Sequence, residues 1–379
     1  MWLDQGIWKP GSPPRNKVAD RNRRGSPRIV DHQVAVSIPT FSGSKLDRLL
    51  SGEPRLVFYR SIGGLGDIIM MAPIAKGAKR KYPGSHVTYA LPIGFANGDA
   101  VAFYENNPFI DEIIDFSLCR RSNYDLFVDL TASAIGEERS YTSPRNRIDI
   151  FAADAGIPLY GDYIPSYFMT EEEDQWGKDF IERSLPKDFS GLKIALHLKS
   201  SDSKRSWGDD KNRQFIVAAR ESGHHIFLTE WGLSPSEWIY RGSTQVFNYP
   251  LRQVAAIYKH CDILVCPDSS MLHLGAALNM RTVALLGSQP ASCRVNRYPR
   301  AVAVVNDQVT CLGCIWGECT HRTAAGGFYC MASLQPIEVL RILQKVVRNE
   351  TFSQDSPLSL PIISSESSKR KRFLKTFRI

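Results

Sequence analysis

What the 379-residue chain lacks narrows its reading first. No run approaches the roughly 18 to 20 consecutive apolar residues of a membrane-spanning helix, and the opening MWLDQGIWKP has no leader-peptide pattern. The expected setting is therefore the cytoplasm, where the eight cysteines are mostly reduced thiols. The folded body also lacks positive charge. Of the formal net charge of +8, residues 1–30 contribute +5 and residues 364–379 another +5, which leaves −2 for 31–363. Basicity thus belongs to two tails. The extension over 1–54, rich in Pro, Gly and charge near its start, is expected to be disordered, and 349–379 form the second tail. Such tails are usually solvated. Otherwise they grip nucleic acid or the anionic cytoplasmic face of a membrane.

The length exceeds one ordinary core, so two domains are expected, over 55–185 and 186–348. The most informative stretch is 261–290, CDILVCPDSSMLHLGAALNMRTVALLGSQP. Ile263 opens a short apolar run that stops at Pro267-Asp268, as a buried strand would. Ser269 and Ser270 are N-cap candidates for a helix carrying Met271, Leu274 and Leu278 on one face. A second β-rich run begins at Thr282 and ends at Gly287. Strand, helix and strand at this spacing make a βαβ unit of a parallel sheet. Its turn offers an acid, two hydroxyls and free N–H groups at a helix N-terminus, where orphan donors and the helix dipole favour phosphate. His273, one turn in, would donate to a phosphate oxygen and be favoured in its charged form. The plainer alternative is a capped helix with a packed histidine.

In the first half, a strand over 56–59 leads into Ser61-Ile-Gly-Gly-Leu-Gly-Asp67 and then an apolar helix. Gly63, Gly64 and Gly66 let the backbone turn sharply and approach a ligand, although their spacing is not G-x-G-x-x-G. A second sheet is expected to start near residue 192, with the cationic loop Lys199, Lys204, Arg205 after its first strand.

The segment Asp268-Ser269-Ser270-x-x-His273, followed by a small-residue helix, an apolar strand and Gly287-Ser288, resembles the D-[ST]-G-x-x-H signature of glycosyltransferase family 9, the heptosyltransferases, with Ser270 in place of the glycine. The resemblance runs from about residue 55 to 345 in matching order, through Gly66-Asp67 with Pro73, Tyr82-Pro-Gly, Asn107-Pro, Asp129 and Arg147. It implies an α/β protein of two doubly wound Rossmann-like domains facing a cleft, the glycosyltransferase B arrangement. It implies Asp67 as catalytic base and a basic K-x-W motif on the donor phosphate, matched by Lys204 or Arg205 before Trp207. An acid reaching the ribose corresponds by position to Glu237. A last helix from Pro336 to Val347 would pack across the hinge.

The implied reaction is metal-independent, inverting transfer from a nucleotide-diphosphate sugar to an acceptor hydroxyl. A saccharide or lipid-linked saccharide acceptor of lipopolysaccharide type follows from the family. A modified base in nucleic acid, served by the basic tails, and a non-catalytic binding protein, suggested by Ser270, are the alternatives. Cys311, Cys314, Cys319 and Cys330 have a spacing that suits structural zinc or an iron–sulfur centre, and equally free thiols or a labile disulfide.

Overall fold

The structure, a computed structural model, describes residues 28–29, 45–140, 145–231, 243–309, 311–314, 317–319, 321–324, 326–349 and 358–359. In chain order the first half holds β1 (Arg28–Ile29), α1 (Lys45–Ser51), β2 (Arg55–Tyr59), α2 (Leu65–Met70), α3 (Ala72–Lys81), β3 (His86–Leu91), α4 (Asp99–Ala102), β4 (Glu112–Asp115), β5 (Leu126–Asp129), α5 (Ile135–Ser140) and α6 (Arg147–Ala155). The second half holds α7 (Glu171–Ser184), β6 (Lys193–His197), α8 (Asp209–Glu221), β7 (His225–Glu230), β8 (Thr244–Phe247), α9 (Leu251–Lys259), β9 (Ile263–Pro267), α10 (Ser270–Ala277), β10 (Thr282–Leu285), β11 (Ala301–Val305), α11 (Tyr329–Ala332), α12 (Pro336–Val347) and β12 (Leu358–Ser359).

The strands form two sheets, in the orders β1-β4-β3-β2-β5 and β12-β11-β10-β9-β6-β7-β8. Every pairing is parallel. A parallel sheet covered by helices on both faces needs strands that are apolar throughout, and these are: every residue of β9 and β10 is buried. In each sheet the strand order reverses beside the first long strand. β5 returns to the far side of β2, and β9 to the far side of β6. The loops leaving β2, β6 and β9 at these switch points splay apart, which opens a crevice at the carboxyl ends of the strands.

Three expectations move. The extension over 1–54, expected to be disordered, contains α1, whose Arg48 pairs with Asp125 at 2.7 Å. The chain crosses to the second sheet earlier than residue 186, because α7 already packs along α9. Phe180 of α7 stacks on Phe227 and Tyr249 of the second unit. A side chain at Gly177 would run into the Ala256 carbonyl, which is why a glycine sits there. The last helix, expected across the hinge, instead packs on α8 and β10 within the second unit. Its apolar stripe of Val339, Leu340, Leu343 and Val346 finds its partners there.

Arg252 fastens the two units together. Its buried guanidinium takes Glu173 in a two-armed ion pair, with 2.6 Å in one arm, and donates to the carbonyls of Ala102 at 2.8 Å and Phe168 at 3.0 Å. Removing one member of such a pair strands a buried carboxylate. Arg252→Ala is expected to lower unfolding stability by about 3–5 kcal/mol, as measured by denaturant titration. A loss below about 1 kcal/mol would show that water reaches the pair.

Candidate functional site

The crevice between the sheets is a cleft of about 790 Å³. Its first wall comes from the turn after β2. Gly64 is the N-cap of α2, and a side chain there would press on the Asp67 carboxylate at 3.1 Å. Gly66 is needed for a different reason. A Cβ would lie 2.9 Å from the His273 ring, so α2 and α10 approach this closely only with glycine. Gly63 lies under the Phe95 ring, with 2.6 Å left for a side-chain atom.

Asp67 stands in the first turn of α2 between two guanidiniums. Arg60, at the end of β2, reaches one oxygen at 2.8 Å, and Arg147, at the start of α6, holds the other. Burial alone would raise the carboxyl pKa, but Arg147 and Arg60 outweigh it and hold Asp67 below the usual carboxylate range. Arg147 is in turn gripped by Glu138 through two bonds of 2.6 Å.

The second wall is the turn after β9. Asp268 is buried and faces Arg205 at 3.1 Å and Arg294 at 3.3 Å. Burial pushes its pKa up, and Arg294 and Arg205 bring it below the ordinary value. Ser269 caps α10 by position, but its side chain makes no cap bond. Ser270 takes the first helical position and is not among the residues with positive φ, so the backbone does not require the signature glycine there. Lys204 turns away from Asp268, donating to the Gly317 carbonyl at 3.1 Å. Of the two register options, Arg205 is the cation that meets Asp268 at the turn after β9. Lys204 remains on the rim.

Three polar atoms of this wall are buried without a hydrogen-bond partner among the described residues: Arg205 Nε, Ser269 Oγ and Glu230 Oε2. Glu230 ends β7, beside the half-exposed Trp231. Glu237 lies outside the described residues, so the acid that the structure brings into the cleft after this strand is Glu230. Sequence reading passed over Glu230 because it ends the strand run; its position at a carboxyl strand end was the available signal. Asp99 also lines the cleft, opposite the N-terminus of α9, whose Leu251 N–H it accepts at 3.2 Å. Burial pushes its pKa up to about 6.

His273 corrects an expectation. It is buried, its Nδ1 lies 2.7 Å from the Tyr298 hydroxyl, and burial lowers its pKa to about 4 despite nearby Asp268. It is a buried, neutral ring that joins α10 to α2 and Tyr298.

Of the alternatives open for the four clustered cysteines, the structure shows free thiols. All eight cysteines are free, and among the described residues no three His, Cys, Asp or Glu side chains are arranged to hold a metal ion. Cys330 is packed under Gly287, and Cys319 Sγ is 3.3 Å from the His321 carbonyl. The thiols are nevertheless neighbours: burial raises Cys330 to about 11, and Cys311, Cys314 and Cys319 push it the same way. The residues do not fit a zinc site at the ~2.3 Å bond lengths that thiolates require.

The His273 pKa has a measurable consequence. The unfolded histidine titrates near 6.5 and the folded one near 4, so the unfolded chain binds more protons between these values. The stability this contributes is present above pH 6.5 and is lost as pH falls towards 4, by about 3 kcal/mol in total. Denaturant titrations over that range are expected to show the slope in wild type and a flatter one in His273→Gln. Equal slopes would mean that the ring is not held neutral.

Residues 193–323 match the model of glycosyltransferase family 9 (heptosyltransferase). No curated protein is similar in sequence. Among solved structures, the glycosyl transferase family 9 protein of Veillonella parvula is 14% identical, with 79% of this chain and 98% of that one covered and a TM-score of 0.60. The iron-containing dodecameric glycosyltransferase TibC of enterotoxigenic E. coli is 15% identical over 79% of this chain and 77% of its own, with a TM-score of 0.54. E. coli ADP-heptose lps heptosyltransferase II is 14% identical over 78% and 99%, with a TM-score of 0.51. At these identities the likeness is one of fold. This chain has the two-domain glycosyltransferase B architecture, and the likeness to glycosyltransferase family 9 in sequence lies in its residues 193–323.

Proposed function

We propose that this protein transfers a glycosyl group from a nucleotide-diphosphate sugar to an acceptor hydroxyl, with inversion at the anomeric carbon. The observation that carries the reading is the trio of buried, unpartnered polar atoms lining the donor wall. A buried donor or acceptor left unmatched costs about 1–3 kcal/mol. Arg205 Nε and Ser269 Oγ suit phosphate oxygens, and Glu230 Oε2 suits a ribose hydroxyl. The N-terminal N–H groups of α10 add to the phosphate site. The exposed face of Trp231 and the nearby Tyr249 and Val246 form the wall for the base. ADP-heptose is the donor we favour, because the matched family is that of the heptosyltransferases and TibC is known in complex with ADP-D-β-D-heptose.

The acceptor enters against Gly64, Asp67 and Phe95. Its hydroxyl oxygen forms the new bond to the anomeric carbon while the bond to the β-phosphate oxygen breaks. The proton passes to Asp67, and the diphosphate leaves with the bonding pair. Arg205 and the α10 dipole stabilise that charge in place, so the transfer step needs no divalent ion. A saccharide or lipid-linked saccharide acceptor is the reading we favour, at the cytoplasmic face of the membrane, where the two basic tails meet anionic headgroups. The cysteine group takes no part in the step.

Asp67→Asn is expected to cut turnover by about 10²–10⁴-fold with the affinity for ADP unchanged. A variant keeping more than about a tenth of the rate would remove Asp67 from the role. Since its two arginines hold Asp67 ionised, the acid limb of kcat/KM should fall below about pH 3.9, the ordinary aspartate value. An acid limb near pH 6 would point to Asp99 instead.

Excess EDTA is expected to leave ADP-heptose turnover within about twofold. A loss of turnover restored by Mg²⁺ would overturn the metal-free step. A lowered melting temperature at unchanged turnover would reveal a structural metal that the arrangement of the described cysteines does not predict.

A further inference from the structure

Glu138 is the most thoroughly buried carboxylate of the cleft, with a side chain 0% exposed. It comes from α5, away from the turns after β2 and β9, and stands behind the cleft, touching Arg147 and Arg294 of its lining. Its two oxygens grip Arg147 at 2.6 Å each, and one of them also lies 3.4 Å from Arg294 Nη1. Arg147 belongs to the first unit and holds Asp67, whereas Arg294 belongs to the second and holds Asp268. A single side chain therefore joins the proposed base to the carboxylate beneath the phosphate turn. The remaining charged groups around Asp67 are Arg60, on its other oxygen, and Arg294; His273 is neutral there.

We infer that Glu138 is a positioning residue for the transfer reaction. It orients Arg147 on Asp67, and it does so from a place fixed by the docking of the second domain through Arg294. The inference rests on the glycosyltransferase reading. A guanidinium presents its donors in a rigid fork. With one edge of Arg147 matched to Glu138, the remaining donor is aimed at Asp67 and cannot rotate away. Without Glu138, Arg147 is a buried cation facing Arg60 and Arg294 with only Asp67 to neutralise it. Freed on one edge, it can pivot and take the fixed placement from Asp67, while the loss of a nearby negative charge lowers the Asp67 pKa further.

The test is Glu138→Gln, which keeps the size of the side chain and removes its charge, beside Glu138→Asp, which keeps the charge on a shorter stem. Hydrolysis of ADP-heptose, with water as acceptor, gives kcat, KM and the pH profile. In Glu138→Gln we expect kcat to fall about tenfold or more, donor KM to stay within about twofold, and the acid limb to move to lower pH. Glu138→Asp should restore the acid limb and recover part of kcat. A lower melting temperature with kcat and acid limb unchanged would make Glu138 purely structural and overturn the inference. So would a raised donor KM at unchanged kcat, which would assign it to donor binding. If Glu138→Gln fails to fold, the aspartate variant carries the test, and wild-type kcat there overturns it. If wild type turns over no ADP-, UDP- or GDP-sugar, the glycosyltransferase reading itself has failed. The Asp67 carboxyl is then followed directly by ¹³C NMR, assigned through its absence in Asp67→Asn. Equal Asp67 titration in wild type and Glu138→Gln overturns the inference on its own.

Discussion

Seven charges run in alternation through the cleft: Arg60, Asp67, Arg147, Glu138, Arg294, Asp268 and Arg205. Each is wholly or largely withdrawn from water, and taking an ion out of water costs several kcal/mol unless neighbours compensate. The arrangement compensates all of them in one row, because every carboxylate lies between two guanidiniums. The row begins on the first sheet and ends on the second, so it cannot form unless the domains are docked. It also has one more cation than anions. At the first end Arg60 donates to the Leu130 carbonyl at 2.6 Å, and its Nε has no partner among the described residues. At the other end Arg205 has Asp268 and Ser201, and its Nε has no partner among the described residues. Both ends of the row thus keep one guanidinium nitrogen unmatched among the described residues.

The backbone explains why these side chains meet. In a parallel sheet every strand delivers its loop to the same edge, and the loops beside a reversal of strand order have no helix crossing between them. Arg60 and the glycine turn leave β2, Arg205 follows β6, Glu230 closes β7 and Asp268 follows β9. Two such sheets facing edge to edge concentrate on one cleft what each alone would scatter over a surface. The close approach of α2 to α10 then depends on Gly66, and the neutral His273 fills the contact.

Much of this was legible in the residues because it is local. The β9–α10–β10 unit shows in its apolar run, serine cap and β-branched second run; the Gly63-to-Asp67 turn shows in its glycines. The first is written within residues 263–285 and the second within residues 63–67. What escaped is written across the chain. Glu138 pairs with Arg294, 156 positions away, and neither sits in a patterned stretch. Arg147 could be seen as part of a family pattern, but not as the partner of Asp67. The charge on His273 was misjudged for the same reason. Its position one turn into a helix suggested an exposed donor, whereas α2, Tyr298 and Arg294 close over it from other parts of the chain. The domain boundary was set at residue 186, after α7, because the charged sequence of this helix hides a narrow buried strip, Gly177, Phe180 and Ile181, on the side that packs along α9.

The same row of charges bears on what kind of base Asp67 would be. Two guanidiniums keep it ionised but lower its proton affinity. A general base works best with a pKa near the working pH, so Asp67 is poorly suited to pull a proton from a free alcohol. Under the proposed displacement it need not do so. As the sugar–phosphate bond lengthens, the anomeric carbon becomes cationic, and the hydroxyl oxygen joining it becomes strongly acidic. Proton transfer then comes late, after most of the new bond has formed, and a weak, fixed carboxylate suffices. The demand shifts from basicity to placement: the carboxylate must already point at the hydroxyl when that acidity appears. Arg60 and Arg147, anchored by Leu130 and Glu138, supply the placement. Their lowering of the Asp67 pKa is the cost of being held from both sides.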